Sequence, residues 1–164
     1  MKHIISALVE NKPGVLAHVA GMFAARAFNI DSLVVGRTED PKLSRMTIVV
    51  VGDDRVVEQV RKQLAKIVPV VKVQDFAGQP MVARDLMLIT ITAPPDKRSE
   101  ILSLIEMFKA KVVDIGVRQL MVEVSGPETK IEAFIDACKP YGIKNVARTG
   151  TIAMPRQGSS EVKS

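Results

Sequence analysis

Apolar positions along this chain follow two rhythms, one of period two and one of three to four, and the rhythms alternate in a repeated order. Lys2 to Val9 is β-branched and apolar and predicts a strand, which Asn11-Lys12-Pro13-Gly14 breaks. A helix is expected next, because Leu16, Val19, Ala20, Phe23 and Ala27 share one apolar face; Pro13 suits its first turn and Asn29 ends it. Ile30 to Thr38 and Leu43 to Gly52 read as a hairpin around Glu39-Asp40-Pro41-Lys42. Asp53 or Asp54 caps a second helix whose buried face is Val57, Val60, Leu64 and Ile67; Pro69 stops it, and Val70 to Phe76 closes the unit as a strand.

The order βαββαβ then repeats. Beyond Ala77-Gly78-Gln79-Pro80, a strand from Asp85 to Ala93 leads through Pro94-Pro95-Asp96 to a helix with Ile101, Leu104, Ile105 and Phe108 on one face. Strands at Lys111 to Gly116 and Arg118 to Ser125 precede a fourth helix, with Ile131, Phe134, Ile135 and Cys138 at the same spacing. Pro140-Tyr141-Gly142 ends it, and Ile143 to Thr149 forms the last strand. The fold class is therefore α+β: two ferredoxin-like units in tandem, each a four-stranded antiparallel sheet with two helices on one face. First and third strands are central and the others are edges, so the segment Ile30 to Thr38 is the expected seam for a homodimer. Each unit is also expected to keep one bare sheet face.

Composition narrows the function. The chain has 164 residues, 47% apolar and 25% charged, which is ordinary for a globular protein, and its single cysteine excludes an internal disulfide. No apolar run approaches a membrane span, and with no signal or transit segment the cytoplasm is the expected compartment. A net charge of +5 raises the question of nucleic acid, but both halves of the chain mix acids with bases. Five Phe and one Tyr supply too few stacking platforms for a single-strand binder. Lys139, Lys144, Arg148 and Arg156 form the one acid-free basic stretch, between Asp136 and Glu161.

Catalytic groups are scarce. His3 and His18 stand in no metal-type spacing with Cys138 or with paired acids; His18 reads as a surface residue and Cys138 as a buried small apolar one. Ser6, Ser32 and Ser44 lack a nucleophile elbow, and no phosphate-cradling glycine loop is present. The junction Asn11-Lys12-Pro13-Gly14-Val15-Leu16, paired with Asn29-Ile30, does suggest a ligand. A helix N-terminus offers free N–H groups, Gly14 allows close approach, and two neutral amides suit a ligand carrying both an ammonium and a carboxylate. An ordinary turn and a helix-capping asparagine would use the same residues.

Glu10-Asn11-x-Pro13-Gly14-Val15-Leu16, followed by a helix and Asn29-Ile30-Asp31-Ser32-Leu33, resembles an ACT domain, the amino-acid-sensing version of this fold. With Ser44-Arg45-Met46-Thr47-Ile48, the second βαββαβ unit and Arg148-Thr149-Gly150-x-x-Ala153-x-x-Arg156, the chain resembles the regulatory small subunits of acetohydroxyacid (acetolactate) synthase. The resemblance, which covers roughly residues 2–156, implies an ACT domain at 1–78, a linker at 79–83 and a ferredoxin-like domain at 84–156 that activates a catalytic subunit; residues 157–164 (QGSSEVKS) read by composition as a disordered tail.

The same resemblance implies no chemistry on this chain. It would activate a separate catalytic subunit, carrying thiamine diphosphate, Mg²⁺ and FAD, and confer feedback inhibition by valine, leucine or isoleucine in branched-chain amino-acid biosynthesis. The effector residues would be Asn11, Gly14, Val15, Leu16, Asn29 and Ile30, at the interface of two ACT domains, and the activating residues Arg148, Thr149, Gly150, Ala153 and Arg156. No metal, nucleic-acid or membrane site is expected. The alternative is a stand-alone tandem ACT-like sensor with another client, which leaves the terminal arginine motif unexplained. An RNA-binding relative of this fold would want aromatics where Thr47, Ile48, Val49 and Val51 stand.

Overall fold

Alternation along the first strand decides where the first core lies. In the computed structural model, which describes residues 1–158, β1 runs Lys2–Glu10 and buries Ile5, Ala7 and Val9 on one face. The chain then turns through Pro13 and Gly14 before α1 (Val15–Ala25), so Pro13 precedes the helix rather than opening it. Gly14 sits at φ +84°, a left-handed conformation that glycine adopts without a Cβ penalty. The buried face of α1 is Val15, Val19, Met22 and Phe23, while Leu16, Ala20 and Ala27 are exposed, a phase different from the expected one. The helix ends at Ala25 with Ala27 left-handed, and Asn29 opens β2 (Asn29–Arg37) instead of capping the helix.

β3 (Leu43–Val51) pairs antiparallel with both β1 and β2, and α2 (Asp54–Ala65) follows. Asp53 caps α2 by accepting from the Val56 N–H at 3.0 Å, and Val57, Val60 and Leu64 face inward as the spacing requires. β4 (Val70–Asp75) completes a sheet of order β2-β3-β1-β4. Its core joins Ile5, Ala7, Val9, Met46, Ile48 and Val50 to the inner faces of both helices.

The second unit repeats the topology. β5 (Met81–Thr92) starts four residues earlier than expected, so most of the anticipated linker is strand. α3 (Arg98–Met107), β6 (Lys111–Ile115), β7 (Gln119–Gly126), α4 (Glu128–Cys138), a short 3₁₀ turn and β8 (Ile143–Arg148) follow, in sheet order β6-β7-β5-β8. Met87, Ile89, Ile91, Leu120, Val122 and Val124 pack under Ile101, Ile105, Ile131, Phe134 and Cys138.

A ninth strand, β9 (Ile152–Pro155), was not anticipated: it pairs with β5, and the Arg156 N–H donates to the Pro80 carbonyl at 3.0 Å. By compactness the chain divides into Met1–Val82 with the stretch from Thr151, and Ala83–Gly150. The terminal arginine motif therefore straddles the division. In the first unit the sheet face away from the helices is not bare, since Ser6, Thr47 and Val49 on it are at most 2% exposed. In the second unit Leu86 and Leu88 remain exposed on that face. Residues 157 and 158 form a turn, and the rest of the expected disordered tail lies outside the described residues.

Candidate functional site

The loop between β1 and α1 is tied down by its own amides. The Asn11 backbone N–H donates to the Lys42 carbonyl at 2.7 Å and its side-chain Nδ2 to the Pro41 carbonyl at 3.1 Å, so the β2–β3 turn holds the loop from below. Lys12 Nζ lies 3.0 Å from the Glu10 carboxylate. Gly14 has nothing within 4 Å of where a Cβ would stand. α1 has no side-chain cap, and the Leu16 and Ala17 N–H groups have no acceptor among the described residues. The result is an open helix N-terminus, polarised to receive a carboxylate. Leu16 is 46% exposed beside it, whereas Val15 is packed in the core.

Asn29 and Ile30 are elsewhere. Asn29 pairs with Val51, which pairs with Lys2, while Asn11 follows Glu10, which pairs with Leu43. Lys2 and Glu10 bound a nine-residue strand, so the two halves of the expected site lie about 26 Å apart along the sheet at ~3.3 Å per residue. Asn29 is exposed at the start of edge strand β2, and Ile30 packs partly against the core. One chain does not bring Asn11 and Gly14 to Asn29.

The terminal motif is built around a buried acid that sequence reasoning passed over. Asp85, 2% exposed, accepts from Arg148 Nε at 3.0 Å and Nη2 at 2.6 Å, and Arg148 Nη1 reaches Glu132 Oε1 at 2.6 Å. Burial works against the Arg148 charge, but the bonds to Glu132 and Asp85 outweigh it and raise its pKa. The Thr149 hydroxyl donates to the Gly150 carbonyl at 2.7 Å and accepts from the Leu86 N–H at 3.2 Å. Gly150 then turns at φ +90° towards β9; Thr151, just before the strand, and Ala153 within it are buried, while Ile152 and Met154 are 53% and 66% exposed. The alternation Asp85, Met87, Ile89, Ile91 was the signal that puts Asp85 on the core face. Ile152 and Met154 show themselves by the same period of two.

The remaining reactive groups are quiet. Burial pushes the Cys138 thiol up to about 11, which keeps it a neutral thiol. His18 is exposed, as expected. His3 is buried with its Nε2 unpartnered among the described residues, 4.0 Å from Asp54. No three of the described His, Cys, Asp and Glu residues cluster as metal ligands. No helix among the described residues is long and apolar enough to cross a membrane.

Two family models match this chain in tandem, one described as an AHAS small subunit-like ACT domain over residues 5–72, the other as the small subunit of acetolactate synthase over residues 84–157. A probable acetolactate synthase small subunit of Archaeoglobus fulgidus is 56% identical over 95% of this chain and 98% of its own length. The acetolactate synthase small subunit of Bacillus subtilis is 47% identical over 95% of this chain and 91% of its own. Among solved structures, the acetolactate synthase small subunit from Thermotoga maritima superposes with a TM-score of 0.87 at 42% identity, covering 95% of this chain and 98% of that one.

Proposed function

The chain belongs to the acetolactate synthase small-subunit family, and from that premise we propose that it is a regulatory subunit whose effector pocket is shared between two copies. The partner is the catalytic subunit of acetolactate synthase, which carries thiamine diphosphate, Mg²⁺ and FAD. The effector is valine or a close branched-chain relative, and the process is branched-chain amino-acid biosynthesis in the cytoplasm.

The observation that carries this reading is the separation of Asn11 and Gly14 from Asn29 within one chain. Two-fold antiparallel pairing of β2 edges sets Asn29 of one copy beside Arg37 of the other. Arg37 pairs with Ser44, next to Leu43 and hence to Glu10 and the Asn11 loop. The pairing therefore closes the effector set twice per dimer. β2 is an edge with no charge between Asp31 and Arg37. The effector carboxylate lies on the free N–H groups of α1, with Gly14 giving it room. Asn11 Oδ1 and the partner copy's asparagine at position 29 meet the ammonium, and Leu16 lines the side-chain pocket. Val15 and Ile30 shape the pocket from the core rather than by contact.

Activation belongs to Arg148, Thr149, Gly150, Ala153 and Arg156. Arg148 acts there as a positioning residue, holding the turn through Asp85, and Ile152 and Met154 offer the apolar contact. This assigns 1–78 to effector sensing and dimerisation, and 84–156 to activation.

The shared pocket is tested by complementation. Gly14→Asp places a carboxylate where one should bind, and Asn29→Ala removes an amide worth about 1–3 kcal/mol; each homodimer should lose valine response. A mixed dimer has one doubly damaged pocket and one intact. Calorimetry on the mixture should recover valine binding, at one site per mixed dimer. No recovery on mixing would sink the shared pocket.

A further inference from the structure

Between α1 and α2, on the far side of the first unit's helical layer from its sheet, lies an open groove of about 420 Å³ that the effector reading does not use. Met22 and Ile67 form its floor, Ala17 and Gly21 one wall, and His18, Arg26, Gln63 and Lys66 its polar lining. No carboxylate lines it among the described residues. The side chains of Arg26, Lys66 and His18 make no hydrogen bond or ion pair among the described residues, although Lys62 and Glu58 on the same helix α2 do pair, at 2.9 Å. Helix-interior Gly21 has nothing within 4 Å of where a Cβ would stand, so no neighbour among the described residues requires glycine there, and it costs the helix about 1 kcal/mol relative to alanine. One residue beyond the groove, Val68 is 92% exposed.

We propose that this groove docks an acidic, amphipathic segment of a protein partner. The carboxylates of that segment meet Arg26, Lys66 and His18, and its apolar side chains pack over Gly21 and against Val68. Charge complementarity selects this occupant: a groove lined by a guanidinium, an ammonium and an imidazole, with no acid among its described lining residues, disfavours a second copy of its own basic lining and favours carboxylates. Gly21 lets the incoming backbone or side chain approach the helix closely. That the catalytic subunit carries the segment rests on the family reading above; the groove itself does not.

The test has two arms. First, the full ¹⁵N-labelled chain is titrated with a twelve-residue peptide of alternating Glu and Leu. Saturable shifts confined to the amides of His18, Gly21, Arg26, Gln63 and Lys66 are expected, with none from the peptide carrying Lys in place of Glu. Arg26→Gln and Lys66→Gln should each weaken binding about fivefold, the upper range for an exposed ion pair. Shifts spread over the surface, equal binding of the Lys peptide, or the same shifts from inorganic phosphate alone would overturn the proposal.

In the second arm, the Arg26→Gln/Lys66→Gln chain and the Gly21→Gln chain are each reconstituted with the catalytic subunit. Each should associate about tenfold more weakly while binding valine as the unmodified chain does. Unchanged association would overturn the assignment of the partner. Loss of valine binding by these variants would overturn the separation of groove from effector pocket. Failure of the effector reading shows instead in the mixed-dimer calorimetry, which leaves the groove untouched.

Discussion

The two βαββαβ units share one topology and handle the same junction in opposite ways. In the first, the loop entering α1 is tied to the β2–β3 turn by a neutral amide, Asn11 to Pro41 and Lys42, and the helix N-terminus stays open beyond Gly14. In the second, the equivalent loop is Pro94-Pro95-Asp96, and the tie to the β6–β7 turn is a guanidinium: Arg98 Nη2 donates to the carbonyls of Ala93 at 3.0 Å, Gly116 at 2.9 Å and Val117 at 2.9 Å. A small amide leaves space and spare hydrogen-bonding capacity for a ligand. An arginine whose Nη2 is shared among three carbonyls, its buried Nε unpartnered among the described residues, fills the same corner with the chain's own atoms. The repeated fold therefore does not repeat this junction, and in the second unit Arg98 and the Arg148–Asp85 pair bind the chain's own atoms.

The largest expected effect tests that last statement. Arg148→Ala strands the buried Asp85 carboxylate, and removing one partner of a buried pair costs about 3–5 kcal/mol; with Arg148 itself 29% exposed, the low end applies. The first unit's Lys12–Glu10 pair is exposed on both sides, so Lys12→Ala should cost under about 1 kcal/mol. Thermal unfolding of the two variants measures the contrast. Equal, small shifts would mean that the Asp85 cluster is not structural. Activation lost in Arg148→Ala but kept in Arg148→Lys would assign Arg148 to positioning.

Next in size is the arginine tie. Arg98→Met removes the three carbonyl bonds and should destabilise the second unit by about 2 kcal/mol. Valine affinity and a stoichiometry of one valine per chain should stay unchanged, as read by calorimetry. Two valines per chain in the unmodified protein would erase the contrast between the junctions.

A third contrast lies in the helices. Val57, Val60 and Leu64 in α2 have the spacing of Ile131, Phe134 and Cys138 in α4, so Cys138 stands where the first unit has Leu64. Its thiol is pushed up to about 11 by burial. In the unfolded chain it ionises near its ordinary value, at lower pH. Stability is therefore intact below about pH 9 and falls as pH rises towards 11, by an amount of the order of 2 kcal/mol. Cys138→Ala should flatten that alkaline limb in denaturant unfolding. An unchanged limb would place the alkaline sensitivity elsewhere.

Most elements were legible because alternation and helical spacing are local signals. The phase of α1 was not. Its sequence is apolar nearly all round, so spacing alone cannot choose between Leu16 with Ala20 and Val15 with Met22; packing against the sheet buries the second pair. β9 escaped because its alternation spans only four residues and the strand it pairs with lies some seventy positions earlier, so the pairing is not a local signal. Asp85 was legible in principle, being in register with Met87, Ile89 and Ile91, but a carboxylate at a strand start reads as a turn residue until Arg148 is seen against it. The motif residues Asn11, Gly14 and Asn29 could be named from sequence. Their separation along the sheet could not, because strand register is a property of the folded pair.

The smallest expected effect concerns how the second helix of each unit starts. α2 begins with Asp53, whose side chain satisfies the Val56 N–H, while α4 begins at Pro127, extended at φ −59° and ψ 156° with no side-chain bond. Pro127 stabilises by restricting the unfolded chain, Asp53 by a hydrogen bond in the folded one. Asp53→Ala should thus cost about 1 kcal/mol and Pro127→Ala a few tenths to about 1. The two origins separate by rescue: Asp53→Asn keeps a side-chain acceptor for the Val56 N–H and should recover most of the Asp53→Ala loss, whereas no hydrogen-bonding side chain at position 127 restores the restriction that proline imposes. Denaturant unfolding of the variants reads this directly, and an Asp53→Asn chain as destabilised as Asp53→Ala would mean that the cap bond contributes nothing to α2.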